Sequence, residues 1–480
     1  MAARNVTEKP PPSVRRQPKA RNGATAADDE QAGRYRPLPT GTHGLDPELV
    51  KRDQRERLQQ AMIELTAQKG YPAVRIVDLA KLAHVSQPTF YRLYTDKEDL
   101  FLSAYDEVAE RSARTIIEAY RAECPRERRL TVAMRAWAKL AAAEPEGTSL
   151  LVLGAFGAGA KALERRRRTL EELERSIHAS RDGAEPTAES TDLTVKAILG
   201  GIREVTAVRL REGRASELPQ LADQLATWAS TYPRRLPAGL DVPRARHRGS
   251  SGEAAARTSE RARRAEGRLP SGRSDLPRQF IVKSQRERIV DATAAIVAEK
   301  GLAALTIPEI ARRANVSHQT FYDIYSSKHD AFLGAQKVGM HQALGVAVEA
   351  YQAKLPDWPR AARAGLGALL DYLASEPAHA HLSLVDTFAS CPEAIEIRNS
   401  TMKAFAAYLD RGYELARGHL EVPSIAAEAV VGGIWQVLHH YIDNDRVAEL
   451  PDAAAQLTYF ALTPFLGPAE AAAYAVPDRA

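Results

Sequence analysis

Apolar residues recur along this chain at helical spacing. Ile63, Leu65 and Ala67 form one series and Ile76, Leu79, Ala80 and Leu82 another, each fitting a 3.6-residue period better than strand alternation. β-Branched runs are scarce and no segment reads as a strand, so the pattern predicts an all-α fold. The most apolar stretch, Leu150 to Ala160, is short and glycine-rich. It reads as a buried helix, since a membrane span needs roughly 18 or more apolar residues. The periodicity fades in residues 1–48 and 233–280, where Pro, Gly, Ala and charge dominate. Such composition cannot bury enough surface to offset chain ordering, which predicts a disordered tail and linker. Residues 468–480 read as a second tail.

The helical pattern occurs twice. The segment from Gln54 to Leu102 returns without a gap from Gln285 to Leu333, an offset of 231, with VS-x-x-TFY-x-x-Y-x-x-K shared. The likeness continues at offset 232. AAAEP ending at Pro145 answers LASEP ending at Pro377, Gly200-Gly201 answers Gly432-Gly433, and ELPQLADQLA from Glu217 answers ELPDAAAQLT from Glu449. A domain-sized period means two copies of one folding unit rather than a solenoid. The predicted division is a head at 49–105 and a body at 106–232, then a head at 281–336 and a body at 337–467.

Each head is punctuated as three helices. Gly70 and Gly301 end the first, where a left-handed backbone favours glycine. A second, short helix is predicted from Ile76 to Ala83 and from Ile307 to Ala314. Thr306 and Glu309 form a T-x-x-E capping box with Pro308 in the first turn; Arg75 stands where Thr306 does, so its helix starts less well capped. The turn falls at His84-Val85 and Asn315-Val316, and Ser86 and Ser317 cap the next helix. That helix carries Gln87, Pro88, Thr89, Tyr91 and Arg92, or His318, Gln319, Thr320, Tyr322 and Asp323.

In a helix–turn–helix, the first residues of this second helix meet base edges in the major groove. Gln can pair with adenine, and Thr can offer a hydroxyl or a methyl group. Tyr94, Lys97, Tyr325 and Lys328 suit backbone phosphates, and Arg75 and Thr306 complete the candidate contact set. The alternative is a small three-helix core that mediates protein contacts.

These residues carry a family resemblance. R-IVD-LAKLAHVSQPTFYRLYTDKEDL and T-IPE-IARRANVSHQTFYDIYSSKHDA both resemble the tetracycline-repressor (TetR) pattern, T-x-x-x-IA-x-x-AGVS-x-GT-x-Y-x-YF-x-SKE-x-L. The resemblance implies an all-helical, dimeric, ligand-responsive transcriptional regulator, usually a repressor, whose last two long helices pair with a partner's in a four-helix bundle. With both copies on one chain, it implies a pseudo-dimer on double-stranded operator DNA. Two departures stand out. The usual turn glycine is His84 or Asn315, and the usual recognition-helix glycine is Pro88 or Gln319. Arg92 also corresponds to Asp323, which either faces DNA as an anion or turns sideways to pair with Arg312 or Arg313. Gln87-Pro88 and His318-Gln319 should not read the same bases, which predicts two unlike half-sites about 34–36 Å apart or a multiple of it.

Charge adds little to this. The net charge is +5, but the stretch from Arg234 to Arg278 alone holds 12 arginines against five carboxylates, so the basic character belongs to the linker. Those arginines either add nonspecific phosphate contacts or keep the tether soluble. The linker spans about 40 Å as a flexible coil, enough to join one body to a neighbouring head and favour pairing within the chain. Further self-association stays open. A hydrophobic fraction of 44% allows packed cores. Cys124 and Cys391 lie far apart, and no apolar leader follows the first charges, which predicts a reducing cytoplasm.

The bodies are expected to hold a pocket each for an unidentified small-molecule effector. Candidate walls are Met134, Trp137, Phe156 and Arg203 in the first, and Tyr372, Phe388, Met402, Phe405 and Trp435 in the second; such stripes also serve as core. The Gly200-Gly201 and Gly432-Gly433 helices either meet across the pseudo-dimer or pack within their own unit. Arg165–Arg168 lies in a Glu-rich stretch and reads as a solvated face. His379, His381 and His439-His440 lack Cys or acidic partners at ligand spacing, so no metal or cofactor is expected. No nucleophile–base arrangement or phosphate loop points to an enzyme. The expected function is a ligand-responsive transcriptional regulator; the alternative is an architectural or scaffold DNA-binding protein without ligand control.

Overall fold

A computed structural model describes residues 46–121, 125, 128–182, 193–237, 239–240, 278–384 and 392–476. The expected N-terminal tail and linker lie mostly outside the described residues, as do Cys124, Phe388 and Cys391. The first unit contains α1 (Pro47–Lys69), α2 (Ile76–Leu82), α3 (Gln87–Leu93), α4 (Lys97–Arg121), α5 (Arg129–Ala143), α6 (Pro145–Val152), α7 (Ala160–Asp182), α8 (Thr194–Arg211) and α9 (Leu218–Ser230). The second contains α10 (Arg278–Lys300), α11 (Ile307–Ala314), α12 (His318–Ile324), α13 (Lys328–Gln352), α14 (Trp358–Ser375), α15 (Pro377–Leu384), α16 (Pro392–Ala407), α17 (Asp410–Ala416), α18 (Ala426–Asp443), α19 (Ala454–Leu466) and α20 (Pro468–Ala475). Among the described residues there is no strand. The fold is all-α and tandem.

Helix α20 occupies what the sequence presents as a tail. Gly467, at φ +78°, turns the chain, and Ala471 and Ala475 are then buried as α20 packs on α19 and α14. Alanines give so weak an apolar signal that only the surface they meet reveals the face.

Each head has its own core. Leu58, Leu79, Phe90 and Phe101 are buried together, and 231 residues on so are Ile289, Ile310, Phe321 and Phe332. His84 and Asn315 both adopt the left-handed turn, at φ 52° and 51°. The guanidinium of Arg57 donates to the carbonyls of Ala83 and His84, as Arg288 does to those of Ala314 and Asn315, tying each turn back to the first helix. An L-residue other than Asn pays about 1–2 kcal/mol for this backbone. His84→Asn is therefore expected to stabilise the first head by up to about 1 kcal/mol, read as a higher denaturation midpoint.

The two bodies share one hydrophobic core, centred where α8 crosses α18. The contact is reciprocal at offset 232. A side chain at Gly200 would strike Gln436 and one at Gly432 would strike Glu204; Gly201 faces Ala429 and Trp228 as Gly433 faces Ala197 and Phe460. Such exchange of i-to-j and j-to-i contacts defines an isologous interface. Flanking it, the Tyr232 ring stacks on Phe460 at 4.7 Å and its hydroxyl donates to the Phe460 carbonyl. The Leu193 N–H donates to Gln456 Oε1, and Ser424 pairs with Gln224. The paired glycines therefore meet between units, not within one.

Candidate nucleic-acid interface and effector cavities

In both heads the recognition helix is set by its cap and one anchor. Ser86 Oγ accepts from the Thr89 N–H at 3.2 Å and Ser317 Oγ from the Thr320 N–H at 3.0 Å, while Phe90 and Phe321 are fully buried. Gln87, Pro88 and Arg92, and His318, Gln319 and Asp323, are left exposed. Tyr91 and Tyr322 project outward at 57% and 55% exposure, each edge-on to its anchoring phenylalanine. Asp323 accepts from Gln319 Nε2 at 2.9 Å. It pairs with neither expected arginine, because Arg312 is held by Glu309 and Arg313 by Glu299.

The preceding helix shows the expected difference in capping. Thr306 Oγ1 accepts from the Glu309 N–H, whereas Arg75 makes no cap and instead binds Asp78 through its guanidinium. The residues expected at phosphates also have partners within the heads. Tyr94 and Tyr325 are buried beside Phe90 and Phe321. Lys97 Nζ donates to the carbonyls of Tyr71 and Val74 and lies over the Tyr71 ring, and Lys328 Nζ donates to Leu305 O. Burial also pushes the Lys97 ammonium below its usual range. The two lysines thereby tie the start of the last head helix to the loop before the second, while the two tyrosines pack on the anchoring phenylalanines.

Tyr372, Met402, Phe405 and Trp435 come together around an apolar cavity of about 120 Å³, with Met340 and Leu369 among its other walls. Its polar fittings are few: the Tyr372 hydroxyl bonds Gln342 Oε1, and His379 Nε2 lies 3.2 Å from Asp291 Oδ1. Met134 and Trp137 border neither this cavity nor the one at the interface; they are buried in the shared core, with α5 packed along α9.

Phe156 and Arg203 do line a cavity, but one between the units. It encloses about 40 Å³ and is bordered by Arg166, Glu204, Arg398, Trp435, Gln436 and His439. On one side Arg398 grips Glu204 with two bonds of 2.6 and 2.8 Å and lies over Trp435, while Arg211 adds a 3.3 Å contact. Burial pushes the Glu204 carboxyl up, but Arg398 and Arg211 more than reverse this and hold it below the ordinary value. On the other side Arg203 donates to Gln436 Oε1 at 3.0 Å, and Arg166 lies over the Phe156 ring. His439 is lowered to about 3, by burial first and then by Arg166 and Arg203.

The family model for bacterial regulatory proteins of the tetR family matches residues 60–104 and again 289–334. Both heads belong to the tetR family. Three solved structures are similar at low identity. The fatty acid degradation regulator FadR of Bacillus halodurans is 18% identical, with 39% of this chain and 96% of that one covered and a TM-score of 0.34. FadR of Bacillus subtilis in complex with stearoyl-CoA gives 17%, 36%, 96% and 0.32, and a TetR family regulator of Marinobacter aquaeolei gives 17%, 37%, 97% and 0.31. No curated protein matches.

The tetR-type heads present their expected base-facing residues outward. The tetR-type signature, however, gave no sign of Arg166, Glu204, Arg398, Gln436 or His439, whose meeting depends on segments 194 or more residues apart. Arg166 is instructive. Its neighbours Arg167 and Arg168 pair with Glu164 on an open face, while Arg166 itself is 6% exposed. Among the described residues, no helix is long and apolar enough to cross a membrane.

Proposed function

We propose that this DNA-binding regulator is a ligand-responsive repressor acting as a single-chain pseudo-dimer on an operator with two unlike half-sites. The reciprocal packing of α8 on α18 carries the reading, since it joins the two units the way a symmetric dimer joins two chains. The division into heads at 49–105 and 281–336 and bodies at 106–232 and 337–467 belongs to the same proposal. The unlike half-sites follow from the exposed faces: beside Pro88, Gln87 and Arg92 offer donors and positive charge, whereas Asp323 adds negative charge beside His318 and Gln319. Arg75, Ser86, Thr89 and Tyr91, and Thr306, Ser317, Thr320 and Tyr322, complete the proposed contact set. An apolar effector in the Trp435 cavity would release DNA in proportion to its preference for a body geometry with mismatched head spacing.

Selection of sites from random DNA tests this. The expected winner is asymmetric and is bound by a particle of about 52.5 kDa by light scattering. Gln87→Ala should weaken binding by about 1–3 kcal/mol and relax specificity in one half-site, with Gln319→Ala acting on the other. A perfect palindrome as the best site overturns the reading.

A further inference from the structure

The two sides of the interface cavity are related by the offset of 232, which makes one side a control for the other. Arg398 answers Arg166, Glu204 answers Gln436 and Trp435 answers Arg203. On the first side the buried arginine is neutralised, because Glu204 enters from the facing helix and accepts two hydrogen bonds from Arg398. On the second, glutamine stands where the carboxylate would be and a further arginine replaces the tryptophan. Arg166 is 6% exposed and makes no hydrogen bond or ion pair to the described residues; its Nε, and the Nε2 of His439, have no partner. Tyr105 and Asp443 influence it through space, but neither makes an ion pair with it, and Asp443 is exposed. A buried charge left in that state is costly unless something pairs with it.

We propose that this half of the cavity is a binding site for the anionic group, a carboxylate or phosphate, of a small effector, held by Arg166 and Arg203 with Gln436 and His439 beside them. The site rests on the reading of the chain as an effector-responsive regulator. Glu204 shows on the opposite side how a carboxylate sits between these helices. A cavity of about 40 Å³ has room for one such group. Because α7, α8 and α18 all contribute, an anion there ties the two units together and favours the geometry in which they are paired.

Thermal melts of the full chain test the site, with sodium phosphate, hexanoate and hexanol compared against chloride at matched ionic strength. Phosphate or hexanoate is expected to raise Tm by about 4 °C or more near saturation, and hexanol to do nothing comparable. A response to phosphate points to a free inorganic anion, and a response to hexanoate alone to an organic carboxylate. Gln436→Glu supplies the missing carboxylate internally and keeps both arginines; it should raise the basal Tm and abolish the anion response. Arg166→Met with Arg203→Met should abolish the response too. No Tm increment over chloride in the wild type, or an undiminished increment in Gln436→Glu, overturns the proposal. Gel shifts on the same proteins report separately on the regulator reading, because loss of all specific DNA binding would count against that and not against the anion site.

Discussion

A chain carrying Gly201→Val and Gly433→Val is expected to lose operator binding while both heads remain folded. A Cβ at Gly201 would lie 2.4 Å from the Ala429 carbonyl oxygen and 2.5 Å from the Trp228 ring. At Gly433 it would lie 2.5 Å from the Ala197 carbonyl and 2.7 Å from Phe460. Side-chain ends can swing aside, but helical carbonyls cannot, so α8 and α18 must separate. Overpacking costs about 1–3 kcal/mol per site and occasionally more. The two sites share one interface, so their effects will not simply add. The tether keeps the units at roughly millimolar effective concentration, which is why both glycines are changed together. Gly367→Ala is the control: its Cβ meets nothing within 4 Å, and alanine favours a helix by about 1 kcal/mol. The expected readouts are a lower first melting transition, a larger hydrodynamic radius and a lost gel shift. A double variant that melts and shifts DNA like the wild type would sink the pseudo-dimer.

Glu204→Gln should cost about 3–5 kcal/mol at neutral pH, because it takes the carboxylate from Arg398, which is 1% exposed, and loosens Arg211. The pH dependence has a defined sign. The folded protein holds the Glu204 carboxyl below its ordinary value of 4.5, so its contribution is complete above that value and is lost as pH falls through the lower, folded one. The gap between wild type and variant in urea denaturation should therefore be widest near pH 7 and narrow below about pH 4.5. The variant also removes the carboxylate from the first side of the cavity, which keeps Trp435 where the second side has Arg203. Phosphate should restore part of its lost stability if both sides accept anions. A gap that does not change with pH would mean the carboxylate is not what stabilises Arg398.

Much of each head was legible because its signals are local. Thr306, Ser86 and Ser317 cap the helices that follow them, and His84 and Asn315 take the left-handed turn, since these depend on a few neighbouring backbone groups. The exposed recognition residues followed from the same register. The loop contacts of Lys97 and Lys328 were not legible, because a lysine opening a helix beside DNA and one closing a loop look identical in sequence. The Arg165–Arg168 run hid its one buried member for a related reason. Successive helix positions point about 100° apart, and what Arg166 meets comes partly from the other unit.

Sequence alone settled that the chain is all-α, that its unit is duplicated and that each copy opens with a tetR-type head. Periodicity, caps and a conserved offset are properties of neighbouring residues and of the chain's own repetition. The tertiary structure decided which glycines meet, which arginines find a carboxylate and which do not. Those outcomes rest on side chains 194 to 233 positions apart, brought within hydrogen-bond reach only when α8 crosses α18.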